Sequence, residues 1–75
     1  MVLAYILITI KSGAEKEVLD KLKAVEEVKD ANLVYGEYDL IVKVDLNEIS
    51  QLSDFVIEKI RILPIERTTT LIVAG

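Results

Sequence analysis

The amino-acid sequence predicts an α+β fold in which two helices pack on one face of a four-stranded antiparallel sheet. Three observations support this prediction. A run of apolar residues occupies positions 2–10, two later stretches repeat apolar residues at helical spacing, and glycine and proline separate the remaining apolar stretches. The predicted order is strand–helix–strand–strand–helix–strand, in two halves that meet at Gly36.

The first half begins with a strand over residues 2–10, where both alternating faces are apolar. Such a strand is typically buried on both sides. Ser12 and Glu15 then have the spacing of a capping box, which marks the start of a helix. Apolar residues recur at helical spacing over residues 14–25, with charged residues between them. The sequence therefore predicts an amphipathic helix over 14–25.

The second half repeats this pattern. Residues 28–35 suit a strand, and residues 39–46 alternate between apolar and polar side chains as a half-buried strand does. The capping-box spacing of Asp45 and Glu48, followed by an apolar stripe, predicts a helix over 47–60. Pro64 precedes a threonine-rich last strand. This βαββαβ order is that of the ferredoxin-like fold, with both helices on one face of the sheet.

The first strand also predicts self-association. The helices cover one face of the sheet, yet the strand is apolar on both, and monomers rarely expose a large apolar patch. A chain of 75 residues also has a small core of its own. We expect an obligate homodimer in which the uncovered faces of two sheets pack together as a dimeric α/β barrel.

Composition excludes several classes of function. The chain has no cysteine and no histidine, which excludes disulfides and the common zinc sites, and it has no cofactor motif. Its net charge is −4 and no two basic residues are adjacent, so we expect no direct binding to DNA. The apolar start lacks the features of a signal peptide and is too short to span a membrane, which favours the cytoplasm. Plentiful Glu, Lys, Ile and Val fit a protein from a thermophile.

Two groups of polar residues are candidates for chemistry. Glu37 and Asp39 lie in a turn that is usually solvated, so catalysis by this pair is disfavoured, and we predict no catalytic residues. Thr68, Thr69 and Thr70 have two interpretations. They are either ordinary strand residues or a row of hydroxyls that binds a polar ligand.

The central hairpin and the end of the chain resemble a known family. Gly36, Glu37, Tyr38 and Asp39 match a hairpin motif close to G-x-Y-D, and the ending "RILPIERTTTLIV" has a proline-containing loop before a threonine-rich strand. In a βαββαβ chain of this length, these features resemble the effector-binding (RAM) domain of Lrp/AsnC regulators. One departure is Ile65, since a glycine often follows the proline in the family. The resemblance implies a single stand-alone domain over residues 1–75, without the helix-turn-helix of full regulators.

The resemblance also implies a function and a site. Family dimers pair through their sheets and commonly assemble into octamers, and small effectors, often amino acids, bind between dimers near the hairpin. It therefore implies ligand-binding residues in the hairpin and last strand: Tyr35, Gly36, Glu37, Tyr38, Asp39, Thr68, Thr69 and Thr70.

Each hairpin residue has a possible role in such a site. Gly36 permits positive φ and exposes backbone amides to a carboxylate, and Asp39 can pair with an ammonium group. Tyr35 and Tyr38 can supply rigid contact area for a ligand or for assembly. The alternative is a plain hairpin that needs glycine for its turn and aspartate for a local hydrogen bond.

Three hypotheses about function follow. The leading one is a non-enzymatic sensor of an amino acid that works by ligand-linked assembly, without a metal or cofactor. The second is a small dimeric ferredoxin-like enzyme of the monooxygenase or isomerase type, which the missing histidine and cofactor motif disfavour. The third is a structural partner that co-assembles with full-length Lrp/AsnC regulators.

Overall fold

The computed structural model describes all of residues 1–75 and has the predicted order of strands and helices. Its elements are β1 (Val2–Ile10), α1 (Glu15–Lys23), β2 (Val28–Leu33), β3 (Leu40–Leu46), α2 (Gln51–Phe55), a π-helical segment (Val56–Ile60) that continues α2, and β4 (Ile65–Ile72). The predicted α+β fold with ferredoxin-like βαββαβ order is confirmed. None of the helices has the length and apolar character that crossing a membrane requires.

The four strands form one antiparallel sheet in the order β2-β3-β1-β4. The strand β1 lies inside the sheet, where Ile6 pairs with Val42 of β3 on one side and with Thr70 of β4 on the other. The strands β2 and β4 are the two edges. A sheet edge carries backbone groups that have no strand partner, so both edges are potential contact surfaces.

The core lies between the sheet and the helices because the strands alternate. In β1 every second residue from Ala4 to Ile10 is buried, and the matching residues of β3 are buried as well. The helices add Val18 and Leu22 from α1. All 15 buried residues are apolar, and they form one cluster: Ala4, Ile6, Ile8, Ile10, Val18, Leu22, Ala31, Leu40, Val42, Val44, Leu46, Leu52, Phe55, Ile60 and Leu63.

The other face of the sheet, here called the open face, carries no helix. It contains Leu3, Tyr5 and Leu7 of β1, which are only partly buried. Cross-strand pairing places Ile41 of β3 and Leu71 of β4 on the same face. The expectation that β1 is buried on both sides is therefore not met within one chain, because both helices pack on the same side. The open face therefore remains uncovered. Its apolar side chains are joined there by Lys43 and Asp45 of β3, which pair with Tyr5 and Leu3, and a second sheet can cover the apolar part.

Both predicted capping boxes are wrong. The helix α1 begins at Glu15 after Ala14, without a side-chain cap, because a turn at Gly13 separates Ser12 from the helix. Asp45 cannot cap α2 because it remains in β3.

The start of α2 is held by a different residue. The Gln51 side-chain oxygen accepts hydrogen bonds from the backbone N–H groups of Asn47 and Glu48, each at 3.0 Å. The helix predicted over 47–60 therefore begins four residues later than expected, at Gln51.

Candidate functional site

The hairpin of residues 34–39 joins β2 to β3 and projects from the end of the sheet. It closes with a hydrogen bond from the Val34 N–H to the Asp39 carbonyl oxygen at 2.9 Å. Gly36 has φ +130°, a conformation that side-chain-bearing residues rarely adopt, and nothing lies within 4 Å of where its Cβ would be. Tyr35 is fully exposed, at 107% of its reference surface. The hairpin tip is therefore an unpacked projection.

The Asp39 side chain ties this hairpin to β1. Its Oδ2 accepts a hydrogen bond from the backbone N–H of Ile10 at 2.8 Å, and the Asp39 N–H donates to the carbonyl oxygen of Ile8 at 2.9 Å. The bond forms because β3 begins at Leu40, opposite Ile8, so the strand ladder offers Ile10 no further backbone acceptor on that side. The other carboxylate oxygen of Asp39 makes no hydrogen bond within the protein.

Four side chains gather on the open face beside the hairpin, and we call them the tyrosine cluster: Thr9, Tyr38, Arg67 and Thr69. The hydroxyl groups of Tyr38 and Thr69 share a hydrogen bond of 2.8 Å. The Arg67 guanidinium carbon lies 5.3 Å from the centroid of the Tyr38 ring, within the range of a cation–π contact. Thr9 pairs with Arg67 across β1 and β4, and its buried hydroxyl has no hydrogen-bond partner.

The tyrosine cluster combines a free cation with hydroxyl groups that can donate or accept hydrogen bonds. Arg67 forms no salt bridge within the chain, and the two ion pairs of the protein lie elsewhere, on α1. A guanidinium group of this kind binds a carboxylate through two parallel hydrogen bonds. The cluster is therefore chemically suited to an anionic group.

The predicted row of three threonines is divided between the two faces of the sheet. Thr69 belongs to the open face, whereas Thr68 and Thr70 pair with Ile8 and Ile6 of β1 and so face the helices. Successive strand residues point to opposite faces, so three adjacent hydroxyls cannot line one site.

Thr68 and Thr70 instead line a groove between α2, the π-helical segment and β4, which we call the α2–β4 groove. Its volume is about 460 Å³. It is lined by Ile49, Leu52, Ser53, Val56, Ile57, Arg61, Thr68, Thr70 and Ile72.

A second cleft, of about 500 Å³, lies between the start of β2 and α2 and contains none of the predicted site residues. Its lining is mostly charged, including Glu26, Glu27, Asp54 and Glu58. No group of three or more His, Cys, Asp or Glu side chains in the chain is arranged to hold a metal ion.

Sequence reasoning missed Thr9 and Arg67. Alternation along β4 places residues 67 and 69 on the same face, so the position of Arg67 beside Thr69 was detectable from the spacing. The contact with Tyr38 was not detectable, because it depends on how the hairpin leans across β1.

Known proteins match this chain along nearly its whole length. A family model described as the Lrp/AsnC ligand binding domain matches residues 3–74. The HTH-type transcriptional regulator FL11 of Pyrococcus furiosus is 35% identical over 72 residues, which are 96% of this chain and 48% of that regulator. The chain thus spans about half the length of the curated relatives it matches.

Solved structures agree with these sequence matches. The crystal structure of FFRP-DM1 superposes with a TM-score of 0.94 at 51% identity, covering 99% of this chain and 100% of that chain. The structure of E. coli AsnC superposes with a TM-score of 0.91 at 36% identity, covering 99% of this chain and 51% of AsnC. The chain belongs to the family of Lrp/AsnC ligand-binding domains.

Proposed function

We propose that this domain binds a small effector of the amino-acid class at the tyrosine cluster and couples that binding to self-association through the open face. The observation that carries the proposal is the unpaired Arg67 guanidinium, held over the Tyr38 ring beside the shared hydroxyls of Tyr38 and Thr69. This arrangement lies next to the hairpin that resembles the family's effector site.

The site has both charges that a zwitterion needs. Arg67 binds the α-carboxylate, and the buried hydroxyl of Thr9 gains a hydrogen-bond partner from the ligand or from a bound water. The free carboxylate oxygen of Asp39 and the exposed carboxylate of Glu37 offer acceptors for the α-ammonium group. Because Asp39 already accepts the Ile10 N–H, it orients the hairpin as well as contacting the ligand.

Self-association follows from the open face. Leu3, Tyr5, Leu7, Ile41 and Leu71 form an apolar surface without a helix over it. Two such faces pack around a twofold axis as a homodimer, and higher homo-oligomers such as octamers form from these dimers.

The tyrosine cluster lies at the end of the open face, at the rim of this dimer. A ligand bound there contacts the hairpin and stabilises the assembled state by mass action. In the cytoplasm the module then acts as a sensor rather than an enzyme, alone or together with full-length Lrp/AsnC regulators.

The test is a thermal-shift screen of the twenty amino acids, followed by calorimetry on any that raise the Tm. Arg67→Ala should lower affinity about 10- to 150-fold, since a charge-assisted hydrogen bond contributes roughly 1.5–3 kcal/mol. Lys59→Ala is the matched control, because Lys59 is an exposed cation of the π-helical segment, on the side of the sheet that the helices cover. Binding that survives Arg67→Ala unchanged, or no response to any amino acid, would contradict the proposal.

A further inference from the structure

We infer that the free edge of β4 accepts an extended peptide segment of a separate partner protein as an added strand. Alternate apolar side chains of that segment lie in the α2–β4 groove, and a carboxylate at its carboxyl end pairs with Arg61. Main-chain hydrogen bonds supply affinity in this mode of recognition, and the pockets for alternate side chains supply specificity. The contact is separate from the open face and from the tyrosine cluster, so it does not depend on effector binding.

The two edges of the sheet are protected to different degrees. The edge strand β2 carries the exposed charges of Lys29 and Asp30, and its register with β3 shifts at Lys29. Charges and bulges of this kind prevent an edge from pairing with a further strand. The edge strand β4 has its register shift at its start, beside Glu66, and residues 68–72 have neither a charge nor a proline. The β4 edge is therefore the one that is open to a further strand.

The backbone of β4 offers hydrogen-bonding groups on this edge at every second residue. The Val73 N–H donates to the carbonyl oxygen of Leu3 at 2.9 Å, which fixes the phase of the alternation along β4. The odd-numbered residues from 67 to 71 therefore direct their N–H and C=O groups towards β1, and the even-numbered residues from 68 to 72 direct theirs outward. No backbone hydrogen bond outside the ladders involves these outward groups. The edge thus presents donors and acceptors at the spacing that an added strand needs.

The side chains of the same even-numbered residues line the α2–β4 groove. Thr68, Thr70 and Ile72 form its strand side, and the other lining residues include Ile49 and Ile57, which are 59% and 53% exposed. A strand paired with β4 places every second side chain on the groove side of the sheet, where it packs against these isoleucines. The backbone edge and the groove therefore recognise alternate residues of one extended segment.

The charge of the groove selects a segment that carries a carboxylate. Arg61 is the charged residue among those that line the groove, it is exposed, and it forms no salt bridge within the chain. It follows the π-helical segment and precedes β4, so it lies at the end of the groove where β4 begins. A strand antiparallel to β4 has its carboxyl end there. Residues 67–72 of a second copy contain no carboxylate, so a segment of a different protein fits the groove better.

Fluorescence anisotropy with the intact chain and a labelled synthetic peptide tests this contact. The probe is Lys-Ile-Thr-Val-Thr-Val-Thr-Glu, labelled at its lysine and amidated at its carboxyl end, so that the apolar residues and the glutamate share one face. We expect saturable binding, with at least about a tenfold loss of affinity when glutamine replaces the glutamate of the peptide.

A charge reversal in the protein tests the same ion pair from the other side. Arg61→Glu should weaken binding of the probe by at least about tenfold, and a peptide with lysine in place of the glutamate should restore it. Lys59→Glu is the matched control, because Lys59 lies in the π-helical segment but lines the other cleft, and it should leave binding unchanged. Circular dichroism checks that each variant is folded. Equal affinity of Arg61→Glu and the wild type for the probe would contradict the pairing.

N-methylation of the peptide distinguishes strand addition from general hydrophobic binding. In an antiparallel pair with β4, the residues of the peptide that face the groove direct their N–H groups towards β4. Methylating these nitrogens should abolish binding, whereas methylating the intervening nitrogens should retain it. Equal binding of the two methylated peptides would contradict strand addition, as would the absence of saturable binding of the unmodified probe up to about 1 mM.

Amide hydrogen exchange followed by NMR locates the contact on the protein. In the free chain, the amides of the even-numbered residues from 68 to 72 should exchange at least about tenfold faster than those of their odd-numbered neighbours, and the probe should slow them. Protection of these amides without the probe would mean that a second copy already covers the edge. Displacement of the probe by free amino acids would mean that the groove is a small-molecule site. Either result would overturn the assignment of a peptide to this edge.

Discussion

Asp39 connects the hairpin to a strand that lies 29 residues away in the sequence, through its bond to the Ile10 N–H. The sequence left two roles open for Asp39, a ligand contact or a local turn bond. The structure adds a third, in which the carboxylate substitutes for a missing rung of the β1–β3 ladder. This role was not predictable from the sequence, because it depends on where β3 begins opposite β1.

Asp39→Ala should destabilise the protein even without a ligand. The Ile10 N–H would lose its acceptor, which costs about 1–3 kcal/mol for a group removed from water. In a domain of this size each kcal/mol corresponds to a Tm decrease of about 4–8 °C. Asp39→Asn should recover part of the loss, because an amide oxygen also accepts a hydrogen bond.

Glu37→Ala is the matched control for this prediction. Glu37 is exposed and makes no hydrogen bond within the chain, so its removal should leave the Tm of the dimer unchanged. Urea denaturation of the three variants gives the comparison. Equal stability of Asp39→Ala and the wild type would show that the Ile10 bond contributes nothing.

At the scale of elements, alternation along β4 places adjacent threonines on different faces of the sheet. Thr69→Val removes the hydrogen-bond partner of the Tyr38 hydroxyl, so it should lower the free energy of unfolding by about 0.5–1.5 kcal/mol. It should also weaken the response to effector. Thr68 faces the helices, so Thr68→Val should leave the effector response intact. The Tm of each variant without the effector measures its stability, and the rise in Tm when the effector is added measures its response. A loss of effector response in Thr68→Val alone would contradict the assignment of faces.

The order of elements was predictable because each element has a distinct period in the sequence. The alternation of residues 39–46 and the helical spacing of residues 14–25 are local patterns, and the structure places β3 and α1 within those ranges. The cap at Gln51 and the π-helical segment were not predictable. Both depend on how the chain leaves β3 and packs Phe55 and Ile60 into the core.

Which candidate residues come together in one site was only partly predictable, because contacts between distant residues depend on tertiary packing. Tyr38 and Thr69 were both candidates from the sequence, and the structure brings them into contact. Tyr35 and Thr68 were also candidates, yet the structure places neither in the tyrosine cluster. A resemblance identifies which residues belong to a region, whereas the face of each residue depends on strand register.

At the scale of the whole molecule, the net negative charge disfavours binding to the negatively charged backbone of DNA. The chain carries thirteen acidic and nine basic residues, and its net charge is −4. We expect no binding of this chain alone to duplex DNA in a gel shift at about 100 mM salt, since phosphate contacts dominate such affinity. Salt-sensitive retention of arbitrary DNA by the chain alone would contradict this expectation.

The open face is the feature of the whole molecule from which we predict self-association. Its apolar residues cross three strands, and the core of a chain this small adds limited stability. Leu7→Glu should break the dimer, because Leu7 lies in the middle of the open face and a buried unpaired charge is costly. Loss of the dimer in this variant, with Glu37→Ala as the dimeric control, would locate the interface.

Effector-linked assembly is tested most directly by sedimentation velocity on the wild type, with and without the amino acids that raise its Tm. We predict a mass of at least two 8.4 kDa subunits without ligand, and a shift of the distribution towards the more assembled species when ligand is added. A single 8.4 kDa species at micromolar concentration, with a mass that no amino acid changes, would contradict the account.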